Sequence, residues 1–503
     1  MKKIFNVCRL SIVVIFGLFG AHTHAMEIEI DQPVLNVSLQ DVIALTNKNN
    51  RTINNAQLRR KSEKFDLLVE KDKFRPDVFV STSIGRESNL DKQKRVSRTQ
   101  DTMNNYSVST TVALKLKTGA ELSLTWDGAQ ERQASSSRND INGHGDDSKG
   151  NQYHQNTGFR INQPLSKGFG LNVNTGSIQI AELNENISQL TLKKTQINIL
   201  TLAIISYRNL LYAQRQYEII KKSLNISMKQ YEFNKKLVEK GRMASLDLVQ
   251  SENDVANKTI DLVLSENQLQ QRKFDLIKIL DVDADTSIVA IDELSMDHIP
   301  EEPLKLCPQN LIMIALLNSP DLLIAQAQQK ISEINYLIAS NNKQLDINFV
   351  AGYANNDEYD HLANFFSKSY KNKSASWDVG ILFSHTFGDL SDDQAVNRSK
   401  VDLRIAKNNV INLKEDIRIE VKSRIREVNI RKKQIELSQK ARSLSEKKLD
   451  IELKKLDMGR SSNFQIVSFQ NDLVSAETSE LLARIEYYNS ITQLEKILGI
   501  NRF

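Results

Sequence analysis

Two stretches bring together residue types that could hold a cation. His144, Asp146, Asp147 and His154 offer imidazole and carboxylate donors within one polar segment. Zinc accepts such donors, but its sites want them at short, regular spacings, and here they fall irregularly among Gly, Asn and Ser. "DVDADTSIVAIDE", from Asp281, opens like a calcium loop, yet Thr286 stands at the sharp turn where that loop needs glycine. Both are read as connections. The sequence shows no nucleophile elbow, phosphate-binding loop or HExxH motif. No catalytic residue, metal or cofactor is expected, and the chain is not read as an enzyme.

What the sequence repeats is a turn. "KGRMASLDLVQSENDV" at Lys240 returns as "MGRSSNFQIVSFQNDL" at Met458. With a shift of 218, the distance from Gly241 to Gly459, Arg242 falls on Arg460, Val249 on Val467, Asn253 on Asn471 and Asp254 on Asp472. "LIKIL" at Leu276 falls on "LEKIL" at Leu494 without a gap. Upstream, "ALTNKNNRTINNAQ" from Ala44 echoes "ALLNSPDLLIAQAQ" from Ala315, now shifted by 271. The difference is explained if the first copy carries a longer strand region. Each copy reads helix, strands, long helix, Gly-Arg turn, helix, and two copies point to a pseudo-symmetric assembly. A glycine between helices favours the left-handed backbone that stops one and starts the next, with Ser245 and Asn463 placed to cap the second helix of each pair.

Breakers are distributed very unevenly. Ten of the 18 glycines lie between Gly85 and Gly176, whereas no Gly or Pro falls between Gly176 and Gly241, Gly241 and Pro300, Gly388 and Gly459, or Gly459 and Gly499. These four stretches predict long helices. At about 1.5 Å per residue the first could reach roughly 95 Å, three times a bilayer's ~30 Å core. Leu248, Val255, Leu262, Leu269 and Leu276 recur every seven residues, flanked by Val249, Val263 and Ile277. Ile466, Leu473, Tyr487 and Leu494 keep that register in the second copy, with Glu480 interrupting it. A seam with a second shoulder suits a helix packed between two neighbours in a ring, and an ordinary antiparallel coiled coil would show the seam too.

Elsewhere the period falls to two. Val78 to Ile84, Val108 to Leu116, Leu122 to Trp126, and Phe159 with Ile161 alternate with polar residues; Ile347 to Tyr353 and Trp377 to Phe383 do so in the second copy. These predict half-buried strands of about nine to eleven residues, which suit either an outer-membrane barrel or a soluble sheet. "LKLKTGAELSL" reads as a tight hairpin around Gly119, and the polar run "QERQASSSRNDINGHGDDSKGNQYHQ" from Gln130 as a solvent-facing loop.

The first residues address the chain. Lys2, Lys3 and Arg9 precede an apolar run from Leu10 to Phe19, with small residues at Thr23 and Ala25, which predicts a signal peptide over 1–25, cut after Ala25 or alternatively Ala21. Cys8 precedes the apolar run, so no lipoprotein cleavage box is expected, and the mature chain keeps Cys307 without an intrachain partner. Removing three basic residues lowers the formal charge from +5 to +2, no argument for nucleic acid. After the signal no run approaches the ~18 apolar residues of a spanning helix, so any membrane entry must be as strands.

This organisation resembles the TolC family of trimeric outer-membrane efflux channels from about Ser38 to Ile500. The residues that carry the likeness are "SLQDVIALTNKNN", "QPLSKGFGLNVN" and "FSHTFGD" before the long helices, and the two Gly-centred turns with "LVQSENDV" and "IVSFQNDL" behind them. The resemblance implies an α+β membrane protein: a trimeric outer-membrane β-barrel continuous with a long periplasmic α-helical barrel, with an internal two-fold repeat. The first repeat would span 26–300, with strands over about 77–163 and a helical hairpin over about 175–281. The second would span 301–503, with strands over about 345–387 and a hairpin over about 392–498. It implies a passive exit duct in efflux or type I secretion, working as a homotrimer with a periplasmic adaptor and an inner-membrane pump or ABC transporter. Gly241, Arg242, Gly459 and Arg460 would be adaptor-docking turns. Asp247 matches a position that helps hold the tip closed, while Gln465 and Ser468 stand where some members carry pore-facing carboxylates. Ser461 lacks the basic partner that Asp247 would want, and Arg460, one residue away, could substitute. The family pattern supplies two strands per half, and the first half here offers four. The reading from another class is an exported structural coiled-coil protein or adhesin without a pore.

Overall fold

The computed structural model describes residues 34–93, 97–139, 145–241, 243–292, 307–362, 374–458 and 460–500. The expected signal peptide, His144, Arg242 and Gly459 lie outside these residues.

The breaker-free stretches fold as helices of 64, 36, 67 and 36 residues. In chain order the elements are β1 (Val34–Val37), α1 (Leu39–Asn49), α2 (Arg51–Asp72), β2 (Asp77–Gln93), β3 (Ser97–Lys115), β4 (Glu121–Asn139), β5 (Gly145–Pro164), α3 (Leu171–Asn174), α4 (Gly176–Glu239), α5 (Ser245–Leu280) and β6 (Ser287–Ala290). Then come α6 (Pro308–Asn318), α7 (Pro320–Asn342), β7 (Asp346–Tyr359), β8 (Ala375–Ser384), α8 (Ser391–Asp457) and α9 (Asn463–Leu498). The shift of 218 is kept at both ends of α5 and α9. Each ends on a left-handed residue, Asp281 at φ 55° and Gly499 at φ 65°. The supposed calcium loop thus begins as a helix cap. Asp281, whose short polar side chain tolerates this backbone, also pairs with Arg51 Nε at 3.0 Å.

A second pair of matching breaks separates α1 from α2 at Asn50 and α6 from α7 at Ser319, with nearly equal dihedrals (φ −62°, ψ 118° and φ −61°, ψ 114°). Both residues cap the next helix through their side chains: Asn50 accepts from Thr52 and Ile53, Ser319 from Leu322. The breaks are 269 residues apart, so the structural register differs by two from the shift of 271 read from sequence; the capping side chain, not the shared Ala and Leu, fixes the bend.

Each repeat has its own core. Val37, Val42, Tyr207, Leu210, Leu276, Leu280 and Ile288 close the first, where β1 and β6 pair in parallel. Leu311, Leu322, Val421, Val428, Tyr487 and Leu494 belong to the second. Arg208 on α4 joins the halves, donating to the Tyr488 carbonyl and Thr492 Oγ1 on α9, both at 2.8 Å. Burial pulls its pKa down to about 10, so it stays charged at neutral pH. No single helix among the described residues is long and apolar enough to cross a membrane. The bent pair α6 and α7 passes by length and composition together, but it packs Leu311, Ala315 and Leu322 into the second core.

The remaining strands form one antiparallel sheet in the order β2-β3-β4-β5-β7-β8. The hairpin expected around Gly119 is present: Leu116 N–H bonds the Ala120 carbonyl at 2.7 Å, and Gly119 has φ 99°. Only glycine fits there, because a Cβ would lie 2.4 Å from the Gly168 carbonyl oxygen. Two expectations fail. β2 to β5 run 17 to 20 residues rather than nine to eleven. The polar stretch from Gln130, read as a loop, is mostly strand, with Gln130 to Asn139 in β4 and Gly145 to Gln155 in β5. Polar side chains on both faces remove the alternation that marks a strand, while the ladder still satisfies the backbone.

Candidate functional site

Residues directly opposite across a ladder point to the same face, so the register assigns the sheet's two sides. Val78, Val112, Leu124, Phe159, Tyr353 and Trp377 form one row across all six strands. Leu114, Leu122, Ile161, Ala351 and Val379 form another on that face. Most of this face is bare within the chain, with Trp377 78% and Val379 61% exposed. The opposite face is mainly polar, with Phe79, Val350 and Leu382 among its apolar exceptions. Its row Ser81, Ser109, Asp127, Asn156 and Asn356 is tied by Asp127, which accepts from the Ser109 hydroxyl and, at 3.2 Å, from Asn156. His154 lies on this side between Glu131 at 3.6 Å and Glu358 at 3.4 Å.

The repeated turns lie at the far ends of the long helices, between α4 and α5 and between α8 and α9. After α4 the chain turns at Gly241, exposed and left-handed at φ 69°, with its N–H on the Val238 carbonyl at 2.8 Å. Arg460 is exposed, and its N–H bonds the Lys455 carbonyl at 2.8 Å. The cap assignments are each one residue late. Ala244, without a side-chain bond, is the N-cap of α5, so Ser245 is its first helical residue. Ser462 caps α9 and accepts from Gln465 N–H at 3.3 Å, so Asn463 is helical too. The bend is set by backbone, and Ser245 and Asn463 are residue types that cap helices although each stands one position inside its helix.

Asn463 has another task, which sequence reasoning missed. It is 4% exposed, donates to Ser251 Oγ on α5 at 2.8 Å, and accepts from Gln230 of α4 at 3.2 Å. Fully buried Asn234 donates to the same Ser251 at 2.7 Å. Four polar side chains thus lock the second hairpin onto the first near the turns. The signal was available as polar residues at seam-facing positions, but it becomes visible only once partners are known. At the position matching Asn234, shifted by 218, stands Glu452, which accepts from Ser461 Oγ at 2.7 Å and Lys455 Nζ at 3.0 Å. The Ser461 hydroxyl first, then Lys455, holds its carboxyl below the ordinary value. Asp247, Gln465 and Ser468 are half-buried on the first turns of α5 and α9. Asp247 and Arg460 form no ion pair with each other within one chain.

Glu480, the break in the second seam, is 4% exposed and bonded by Arg442 at 3.3 Å and by Arg484. Along α5 the second shoulder is bare over its first part, with Val249 and Val263 each 60% exposed, whereas Ile277 is buried in the first core.

A six-stranded sheet with one apolar and one polar face, feeding two long helical hairpins related by an internal repeat, decides the architecture. The chain has the fold of the TolC family. The profile of the outer membrane efflux protein family matches residues 132–281. Among solved structures, the Campylobacter jejuni CmeC outer membrane channel shares 14% identity at a TM-score of 0.65, covering 92% of this chain and 85% of that one. CusC shares 15% at 0.67, covering 93% of each chain. Vibrio cholerae VceC shares 11% at 0.63, covering 92% of this chain and 96% of that one. No curated protein sequence matches. At these identities the TolC likeness speaks for the fold, and function is argued from the surfaces above.

Proposed function

We propose that the chain is a passive outer-membrane duct, working as a homotrimer whose strands close one barrel and whose helices close one periplasmic tunnel. The observation that carries this reading is the sheet, apolar on one side, polar on the other and unpaired at both edges. In lipid an open edge leaves N–H and C=O groups without partners at several kcal/mol each, so the sheet must close through further copies. The apolar face then meets lipid and the polar face lines water. The bare shoulder of α5 is covered in the same step by a neighbouring helix. A rod or adhesin without a pore would leave the apolar sheet face without a solvent to match it.

The energy comes from an inner-membrane pump or ABC transporter, reached through a periplasmic adaptor. The turns at Gly241, Arg242, Gly459 and Arg460 are proposed as the adaptor's docking points, since two repeats in three chains alternate them six times around the closed end. Asp247 and Arg460, unpaired with each other inside a chain, are proposed to pair across the boundary between chains, with Gln465 and Ser468 facing the constriction. The cargo classes a wide duct admits are small toxic compounds, metal ions and polypeptides, and a strain lacking the gene, tested against each, separates them. The experiment that tests the duct itself is extraction of the outer-membrane fraction. A band that runs as a trimer unheated and as a monomer after boiling supports it; a soluble monomeric product contradicts it.

A further inference from the structure

Building on the duct reading, we propose that the barrel has eighteen strands, the six of this sheet from each of three copies. The first half's additional hairpin, β3 with β4, then crosses the membrane instead of folding beside it.

Three observations converge. First, all six strands start at one level, at the helix end of the sheet. Asp77 pairs with Ala113, Lys115 with Glu121, Glu121 with Asn162, Pro164 with Asn348, and Asp346 with Ser384. The β3–β4 turn itself touches the loop that leads into α4, where Gly170 N–H bonds the Thr118 carbonyl at 3.2 Å. A hairpin rooted there rises through the same layer as its neighbours. Second, the apolar face does not skip that hairpin: Val112 and Leu124 occupy the middle of the row between Val78 and Phe159. Asp127 and Ser109 keep to the polar face of the same two strands. A hairpin outside the membrane has no need of this division.

Third, the edges fit each other. The strands alternate in direction and their number is even, so β2 and β8 run oppositely. Rotation about the barrel axis keeps direction, so β8 of one copy meets β2 of the next antiparallel, and the head-to-tail contact closes as a ring. All ten residues of β8 are exposed in the single chain. Ten residues at about 3.3 Å extend roughly 33 Å, which at the usual tilt of about 35–45° rises roughly 23–27 Å, matching the ~25 Å apolar band. Barrels of about 16–18 strands leave an aqueous channel rather than a filled interior.

The test uses the full-length protein in the outer membrane, with Cys307→Ser to remove the free thiol. Double variants carrying Val80→Cys with Val379→Cys, Ile381→Cys or Phe383→Cys scan the inter-copy register. At least one should give intermolecular disulfides on oxidation, up to the covalent trimer, while each single variant gives none. Spin labels at Val112→Cys and Leu124→Cys should show the high oxygen and low nickel-complex accessibility of a label at Val379→Cys, and a label at Ser123→Cys the reverse. Each variant is checked for heat-sensitive trimers and conductance. Trimers that conduct but show water-exposed labels at both hairpin positions, or no β2–β8 cross-link, overturn the strand count and leave the duct standing. Loss of trimers and conductance in the unsubstituted protein overturns the duct reading beneath it.

Discussion

At the scale of single residues, the two copies have kept their backbone and rewired their side chains. Asn234 and Glu452 occupy one repeat position, yet the first holds Ser251 and, through it, Asn463, whereas the second holds Ser461 and Lys455. Because the Glu452 carboxyl is held below 4.5, its contribution is present above the ordinary carboxylate value and is lost as pH falls through the folded one. Hydrogen exchange around Arg460 and Ser461, corrected for intrinsic rate, should therefore rise in that acid range. Glu452→Gln should give the loosened turn at neutral pH, and unchanged exchange would refute the contact. The buried node behaves differently. Asn463→Ala and Ser251→Ala each leave a buried polar group short of a partner, at about 1–3 kcal/mol. Their double mutant should cost less than the sum, since they remove the same bond. Gly499→Ala should be worse than Asp281→Gly in thermal unfolding. A Cβ on Gly499 lies 2.7 Å from the Asn318 carbonyl oxygen, on top of the ~1–2 kcal/mol of a left-handed alanine, whereas glycine at 281 keeps the backbone and loses only the side-chain contacts to Arg51.

At the scale of elements, the long helices and the apolar-faced parts of the strands were legible because each obeys one period, and the helices lack breakers. Leu276 and Leu494, matched by the repeat, are 0% and 1% exposed, and the row from Val78 to Trp377 contains residues picked by alternation alone. What hid was whatever a partner decides. The strand from Gln130 shows no apolar face because none of it needs one, and a backbone ladder writes little into side-chain chemistry. Glu480 reads as a flaw in the heptad until Arg442 and Arg484 are placed around it. Removing Arg484 leaves that buried carboxylate with one partner, itself 43% exposed by side chain. The 3–5 kcal/mol usual for breaking a fully buried pair should shrink to about 1–3 kcal/mol here, read as a shift in the unfolding midpoint. An unchanged midpoint would show that Arg442 suffices.

At the scale of the whole molecule, a single chain is an incomplete surface on two levels, at the edges of its sheet and along the shoulder of α5. Val263 and Leu264, 60% and 62% exposed, would each gain about 1–2 kcal/mol if the rest of their surface were covered. Leu264→Glu should accordingly remove the heat-sensitive trimer while leaving the helical circular dichroism of the chain intact. Arg460→Ala and Asp247→Ala should alter gating without disturbing assembly, because the proposed pair lies at the turns and not along the shoulder; unaltered gating would exclude their pairing across chains. The central claim is that three copies enclose a continuous water path that needs no energy of its own. Purified trimer in a planar bilayer tests it most directly. Discrete ion-conducting steps without nucleotide or any partner protein are the predicted result; folded trimer that inserts and conducts nothing, under either polarity and in either orientation, would contradict it.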